Sequence, residues 1–281
     1  NAGTTPDSGK PTQGAVQPIR KASRRMPKVE WDYSDLAATY DQRADYSLTA
    51  IENVVSRIGC TPRKPVADIG AGTGKLSVPL GKLGLTVHSV EPNKNMRELG
   101  INNTKNLSVN WYEGTAEETT LPKTSFYATF FGSSFNIVDQ TAALNECLRI
   151  LVPGGWFVCI WNHRDLNDPL QNRIEKIIKS NIENYDYGSR RKDPSDNIRK
   201  SGFFEKVEFA EDSFNIFMKK DNVVDAWKSH ATLARQAKDS SDYIIQEIEK
   251  QIPEGTIKVP YTTRIWFSQL SADAVHDTTT E

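Results

Sequence analysis

At 281 residues the chain is long enough to bury a sizeable core, and 37% hydrophobic with 25% charged residues is the balance of an ordinary soluble globular protein. A formal net charge of −1 gives no global field to steer the molecule toward nucleic acid or an anionic membrane, so any charged partner must meet a local patch. The three cysteines, Cys60, Cys147 and Cys159, form no Cys-x-x-Cys pair, and no apolar run approaches the roughly 18 residues needed to cross a bilayer or forms a secretory core at the N-terminus. The expectation is a cytoplasmic protein with no membrane and no nucleic-acid partner.

In chain order, residues 1–28 are rich in Gly, Pro, Ser, Thr and Gln and set Lys10, Arg20, Lys21, Arg24, Arg25 and Lys28 against the single acid Asp7. That composition predicts a disordered basic arm. It suits either packing between subunits, hence a homodimer, or a lid over the site. A folded domain over residues 29–270 then opens with "WDYSDLAATYDQRADYSLTAIENVVSRIG", where Leu36, Tyr40, Leu48, Ile51, Val54, Val55 and Ile58 fall at mostly helical intervals before a glycine stop.

Strand candidates recur at residues 65–69, 86–90, 107–112, 127–131 and 156–161, with helical segments near 75–83, 93–100 and 140–151 between most of them. Such alternation argues for a parallel sheet covered on both faces. Beyond Asn162 the pattern changes: "DPLQNRIEKIIKSNIENY" reads as an amphipathic helix and "FFEKVEFAEDSFNIF" as two strand segments. "NVVDAWKSHATLARQ" and "SSDYIIQEIEKQI" read as helices, and "TIKVPYTTRIWFSQL" as a last strand. These predict one domain with a helical cover inserted at about residues 165–200 and 220–253, followed by a polar tail over 271–281.

The stretch "PVADIGAGTGKLSVPLGKLGLTVHSVEP" carries the chemistry. A Walker loop needs a glycine five residues before Gly74 and Ser or Thr after Lys75, where Ile69 and Leu76 stand. The dinucleotide fingerprint needs its third glycine at 75, where lysine stands; the glycines here are Gly70, Gly72 and Gly74. What remains is a strand ending in Asp68, a G-x-G-x-G turn, a helix, and an acid, Glu91, at the end of the next strand. Glycines let a ligand approach the main chain closely, and an acid at that place can accept both hydroxyls of a ribose. The pattern predicts a nucleoside site without a pyrophosphate.

This arrangement resembles the class I S-adenosylmethionine-dependent methyltransferases. "VADIGAGTGKLS" is similar to their first motif and "HSVEPNKNM" to the second, while "EGTAEETTLP" is similar to the segment that flanks the adenine. "ALNECLRILVPGGWFVCIWNHRD", "AATYDQRADY" and "VPYTTRIWF" resemble the small-molecule group that includes the trans-aconitate methyltransferases. The resemblance implies a doubly wound, mostly parallel, seven-stranded Rossmann-like sheet with a helical cover, S-adenosylmethionine as cofactor and a small-molecule acceptor. It assigns the cofactor to Tyr40, Asp68, Gly70, Ala71, Gly72, Gly74, Glu91, Pro92, Met96, Thr115, Ala116, Glu117 and Ser133, and the acceptor to Tyr33, Asn136 and Trp161. One departure stands out: where the group reads S-F-D and then F-H-W-F-D, this chain reads "SFYATFFGSSFNIVDQ", with Tyr127 for the aspartate and Asn136 for the histidine.

A sulfonium methyl is already electrophilic, so alignment of the acceptor is the main requirement and catalytic side chains can be few. A carboxylate acceptor needs no base; a hydroxyl or ammonium does. His163, directly after the fifth strand, and His230, on a cover helix, are the candidates, whereas His88 lies within a strand and His276 in the tail. No metal-ligand cluster is present in the sequence pattern, so no metal is expected. The competing reading is a regulatory or scaffold protein that binds the cofactor without turnover.

Overall fold

The computed structural model describes residues 44–186 and 192–275. The basic arm, Trp31, Tyr33, Tyr40 and His276 lie outside these residues. The first described helix, α1 (Leu48–Arg57), buries Ala50, Ile51, Val54 and Val55. Its Ser47 cap accepts from the Ala50 N–H, and the chain leaves through Gly59 at φ 67°. A free N–H at a helix start is thereby satisfied, and the left-handed exit uses the residue without a Cβ.

There follow β1 (Val66–Ile69), α2 (Ser77–Lys82), β2 (Val87–Val90), α3 (Lys94–Asn103), β3 (Val109–Tyr112), β4 (Phe126–Gly132), α4 (Gln140–Ile150) and β5 (Leu151–Arg164). The C-terminal part adds α5 (Pro169–Asn181), α6 (Ser195–Lys200), β6 (Glu208–Lys219), α7 (Lys220–Lys228), α8 (Ala231–Ala237), α9 (Ser241–Gln251) and β7 (Thr256–Gln269). Strand order is β3-β2-β1-β4-β5-β7-β6. The first five strands pair parallel, and β7 inserts antiparallel between β5 and β6. Chain direction across the sheet reverses its order of travel between β1 and β4, the switch point at which open sheets of this kind leave a crevice.

The pleat sends adjacent residues to opposite faces, and the core divides accordingly. Phe130 joins Ile51, Val54, Val66 and Leu80 on one face; Phe131 joins Phe135, Cys147 and Phe157 on the other. A third cluster lies under the cover, where Leu170, Ile174 and Ile178 of α5 meet Trp227 of α7, Ile244 and Ile248 of α9, and Tyr261 of β7. Among the described residues no helix is long and apolar enough to cross a membrane.

Two local expectations are corrected. The segment read as two strands is one, β6, paired with β7 without a break from Glu208 opposite Phe267 to Lys219 opposite Thr256. The acids that interrupted its apolar pattern are served where they stand: Glu211 pairs with Arg264 at 3.2 Å and Asp212 accepts the Ser47 hydroxyl at 2.5 Å. Conversely "NVVDAWKSHATLARQ" is two helices, because His230 caps α8 by accepting the Leu233 N–H on Nδ1 at 3.2 Å. A side-chain acceptor at that place starts a helix instead of continuing one.

Candidate active site

The glycine turn runs out of β1 with Gly70, Gly72 and Gly74 all at positive φ (68°, 57° and 85°). A Cβ at Gly70 would stand 2.6 Å from the Ser134 Cβ, so the loop closes on β4 only without a side chain there. Gly70 and Ala71 donate to the Val90 carbonyl at 2.9 and 3.0 Å, Gly74 donates to the Ala71 carbonyl at 2.9 Å, and Gly72 donates to Glu91 Oε2 at 2.8 Å. These donors are thus spent inside the fold. With those N–H groups engaged and no Cβ at its glycines, the loop offers close approach to a ligand.

Glu91, 7% exposed, also accepts the Asn93 N–H on Oε1 at 2.8 Å. Burial raises its pKa, while the N–H donors of Asn93 and Gly72 and the nearby Arg97 guanidinium pull it back. Arg97 in turn donates to the Glu91 and Pro92 carbonyls at 2.7 and 3.3 Å and fixes the turn into α3. Met96 is buried in the first turn of α3. Thr115 and Ala116 are buried beyond β3, and Glu117 Oε1 accepts the Asp139 N–H at 3.0 Å where α4 begins.

A cavity opens beside this turn at the carboxyl ends of the strands. It is lined by Asp68, Gly70 and Ala71 of the turn, Gly132 and Ser133 after β4, Asn162, His163 and Arg164 of β5, Gln171 and Glu175 of α5, and Trp227, His230 and Thr232 of the cover. Tyr46, Lys75, Met218 and Tyr261 are also among its lining residues. Ser133 holds φ 57°, strained for a residue with a Cβ, and its hydroxyl is within 2.8 Å of the Tyr46 hydroxyl.

Asp68 is fully buried, and its pKa rises from 3.8 to about 7, chiefly through burial, with Glu91 adding to the rise and the Ser77 hydroxyl opposing it. Oδ2 accepts that hydroxyl at 2.6 Å, whereas Oδ1 has no hydrogen-bond partner among the described residues. A buried carboxyl oxygen left over at a cavity wall suits a cationic ligand group.

Of the residues singled out from sequence, the cavity brings together Asp68, Gly70, Ala71, Ser133, His163 and His230. Glu91, Pro92, Met96, Gly72, Gly74, Thr115, Ala116 and Glu117 stand around the adjoining turns, outside its lining. Asn136 and Trp161 meet each other instead: the Trp161 indole N–H donates to Asn136 Oδ1 at 3.0 Å, and Trp161 is 1% exposed against Trp266. Tyr127 donates to the Ile58 carbonyl at 2.6 Å and carries Lys64 over its ring, tying the end of α1 to β4. His88 bonds the Tyr112 hydroxyl at 2.9 Å. Among the described residues no group of three His, Cys, Asp or Glu side chains could hold a metal ion.

Arg164, Gln171 and Glu175 escaped the sequence reading. The signal was there for the last two, which sit beside Leu170 and Ile174 on the buried stripe of α5, where a polar residue calls for an explanation.

Residues 67–159 match the family described as a methyltransferase domain. Over 103 residues the chain is 38% identical to an uncharacterized methyltransferase of Mycobacterium tuberculosis, covering 36% of this chain and 40% of that one. Over 168 residues it is 27% identical to a ubiquinone/menaquinone biosynthesis C-methyltransferase of Caulobacter vibrioides, 53% of this chain and 66% of that one. The chain thus spans less than two thirds of the length of these relatives. In fold it is similar to a candidate type II methyltransferase of Anaeromyxobacter dehalogenans, with TM-score 0.60 and 18% identity over 82% of this chain and 98% of that one. A second likeness is to a Haemonchus contortus N-methyltransferase solved with S-adenosylhomocysteine, TM-score 0.51 and 15% identity over 85% of this chain and 57% of that one. The match begins at the strand that leads into the G-x-G-x-G turn, which Gly72 ties to the acid of the next strand, and over residues 67–159 the chain is similar to a methyltransferase domain.

Proposed function

We propose that the protein transfers the methyl group of S-adenosylmethionine to an oxygen or nitrogen of a small-molecule acceptor held between the glycine turn and the cover helices. The observation that carries this reading is the continuity of the cavity: Asp68, Gly70 and Ala71 at one end share it with Gln171, Trp227 and His230 of the cover at the other. The bound cofactor would supply an electrophilic methyl group on a sulfonium.

The residues present fit that cofactor. Glu91 retains lone pairs beyond its two backbone bonds and would accept the ribose hydroxyls. Asp68 Oδ1 would face the cationic end, and the Gly70–Ala71 turn would lie against it without a Cβ in the way. The cover helices exclude water and align the acceptor, which is where most of the rate of such a transfer arises. His163 is the candidate to take a proton from a hydroxyl or ammonium acceptor. His230 is suited to donating instead, because its Nδ1 lone pair caps α8 and its neutral ring then carries the proton on Nε2.

Calorimetry with S-adenosylmethionine and S-adenosylhomocysteine, followed by a mass-spectrometric search of small-molecule extracts for products heavier by CH2, tests the reading. Binding and a methylated product are expected. Stabilisation by NAD with none by S-adenosylhomocysteine would overturn it; cofactor binding with no product would favour the regulatory alternative.

A further inference from the structure

On the side of the cavity formed by β5, α5 and α7, polar groups are held without partners. Gln171 is 2% exposed, yet neither its Nε2 nor its Oε1 has a hydrogen bond among the described residues, and the same holds for Trp227 Nε1, on a residue 4% exposed. Buried amide and indole groups left this way are unfavourable unless a ligand or water completes them. Arg164 lines the same cavity. Its guanidinium stands 4.0 Å from the Trp227 ring centre, and its Nε donates to the Tyr261 hydroxyl at 3.1 Å. Stacking and that single bond orient the planar group and leave its terminal N–H groups for other work.

Charge pairing singles out the same residue. Lys75 on the cavity wall is paired with Asp45 at 2.9 Å and Glu175 with Lys179 at 2.8 Å. Arg164 has no carboxylate within ion-pair distance among the described residues. A fixed guanidinium sharing a cavity wall with two donors that lack acceptors is an arrangement that can recognise a carboxylate, through charge-assisted N–H···O bonds.

We propose that this side of the cavity is a receptor for a carboxylate carried by the acceptor, with Arg164 as the counter-charge and Gln171 Nε2 and Trp227 Nε1 as the additional donors. The inference rests on the methyltransferase reading and narrows its substrate class. Among the described residues that line the cavity, Lys75 is ion-paired and Arg164 is not, and a single free guanidinium balances a monoanion. Leu166, Met218 and Ala226 on the remaining wall suit an aliphatic or aromatic body. The acceptor is therefore an apolar monocarboxylic acid, anchored here and presented to the glycine turn at its other end.

The test uses the full chain saturated with S-adenosylhomocysteine, titrated by calorimetry with hexanoate, cinnamate and 3-phenylpropionate, each beside its primary amide. At least one acid should bind roughly tenfold or more tightly than its amide, the range of a hydrogen bond to a charged group. Arg164→Gln should erase that preference, and Trp227→Phe, which keeps the stacked ring but removes the indole donor, should weaken acid binding several-fold. Affinity for S-adenosylhomocysteine should be unchanged in both, which also reports that they fold; if Arg164→Gln does not fold, Arg164→Lys should show a partial loss of preference. Acid and amide binding alike, no acid binding at all, a preference that survives Arg164→Gln, or displacement of the acid by equimolar inorganic phosphate would each overturn the proposal. Should S-adenosylhomocysteine itself not bind, the methyltransferase reading fails, and the acid-over-amide preference is still read on the protein alone.

Discussion

Glu91 Oε2 accepts the N–H of Gly72 at 2.8 Å, so the acid at the end of β2 holds the middle of the glycine turn that leaves β1. Its other oxygen holds the Asn93 N–H at the start of α3. One buried carboxylate therefore sets two of the turns around the site. Even a glutamine cannot replace it cleanly, since its NH2 must face one of these N–H donors.

Glu91→Ala should weaken S-adenosylhomocysteine binding about 10- to 150-fold, the equivalent of losing a charge-assisted hydrogen bond of roughly 1.5–3 kcal/mol. Glu91→Gln should fall between that variant and the wild type, because one backbone bond survives. Titration calorimetry reads both. An alanine variant with wild-type affinity would show that the acid serves only the loop.

Asp68 makes the site sensitive to pH. Its folded pKa of about 7 lies above the ordinary 3.8, so the folded protein without cofactor holds a proton that the unfolded chain releases. Stability from this group is fully present below the unfolded pKa and is lost as pH rises toward about 7. A cationic ligand favours the carboxylate and reverses the preference. Affinity for S-adenosylmethionine should rise between pH 5 and about 7 and level off above, with proton release below pH 7 in calorimetry across buffers of different ionisation enthalpy. Asp68→Asn should abolish both the slope and the release; a persistent slope would assign the titration elsewhere.

The sheet was legible because most of its first five strands carry an apolar run bounded by turns, β3 (Val109–Tyr112) being the least apolar of them. The cover was less legible. His230 looks like one more residue of an amphipathic helix until its Nδ1 is seen taking the Leu233 N–H. Glu211 and Asp212 look like a strand break until β7 and Ser47 supply their partners. The cover side of the cavity draws on β5, α5, α7 and β7, and no local pattern announces that Arg164, Gln171 and Trp227 line one cavity. The first case is a cap between residues three apart that competes with helix continuation, and the other two are decided by long-range contacts absent from any short window.

The two histidines should separate kinetically once an acceptor is identified. His163→Gln should lower kcat by about 10²-fold or more for a hydroxyl or ammonium acceptor while leaving cofactor affinity intact, the usual effect of removing a general base. His230→Ala should act mainly on stability, by about 0.5–2 kcal/mol for a lost cap. Chemical denaturation and the pH dependence of kcat distinguish them: a pH profile that changes with His230 and not with His163 would exchange their roles.

Asn136 and Tyr127, the two positions that depart from the motif of similar enzymes, are expected to act through the fold. Asn136→Ala would leave the Trp161 indole N–H, on a residue 1% exposed, without its acceptor, a loss of about 1–3 kcal/mol. Tyr127→Phe removes a 2.6 Å bond to the Ile58 carbonyl but keeps the ring under Lys64, so the loss should be nearer 1 kcal/mol, or about 2–4 °C in Tm for a domain of this size. Both variants should bind S-adenosylhomocysteine as the wild type does, since neither residue lines the cavity. Asn136→His restores an acceptor on one ring nitrogen and should recover part of the stability, provided the ring stays neutral; its melting curve at pH 8 and at pH 5 should then differ by more than the wild type's. An Asn136→Ala variant with wild-type stability but altered acceptor selectivity would return this residue to the substrate side of the site.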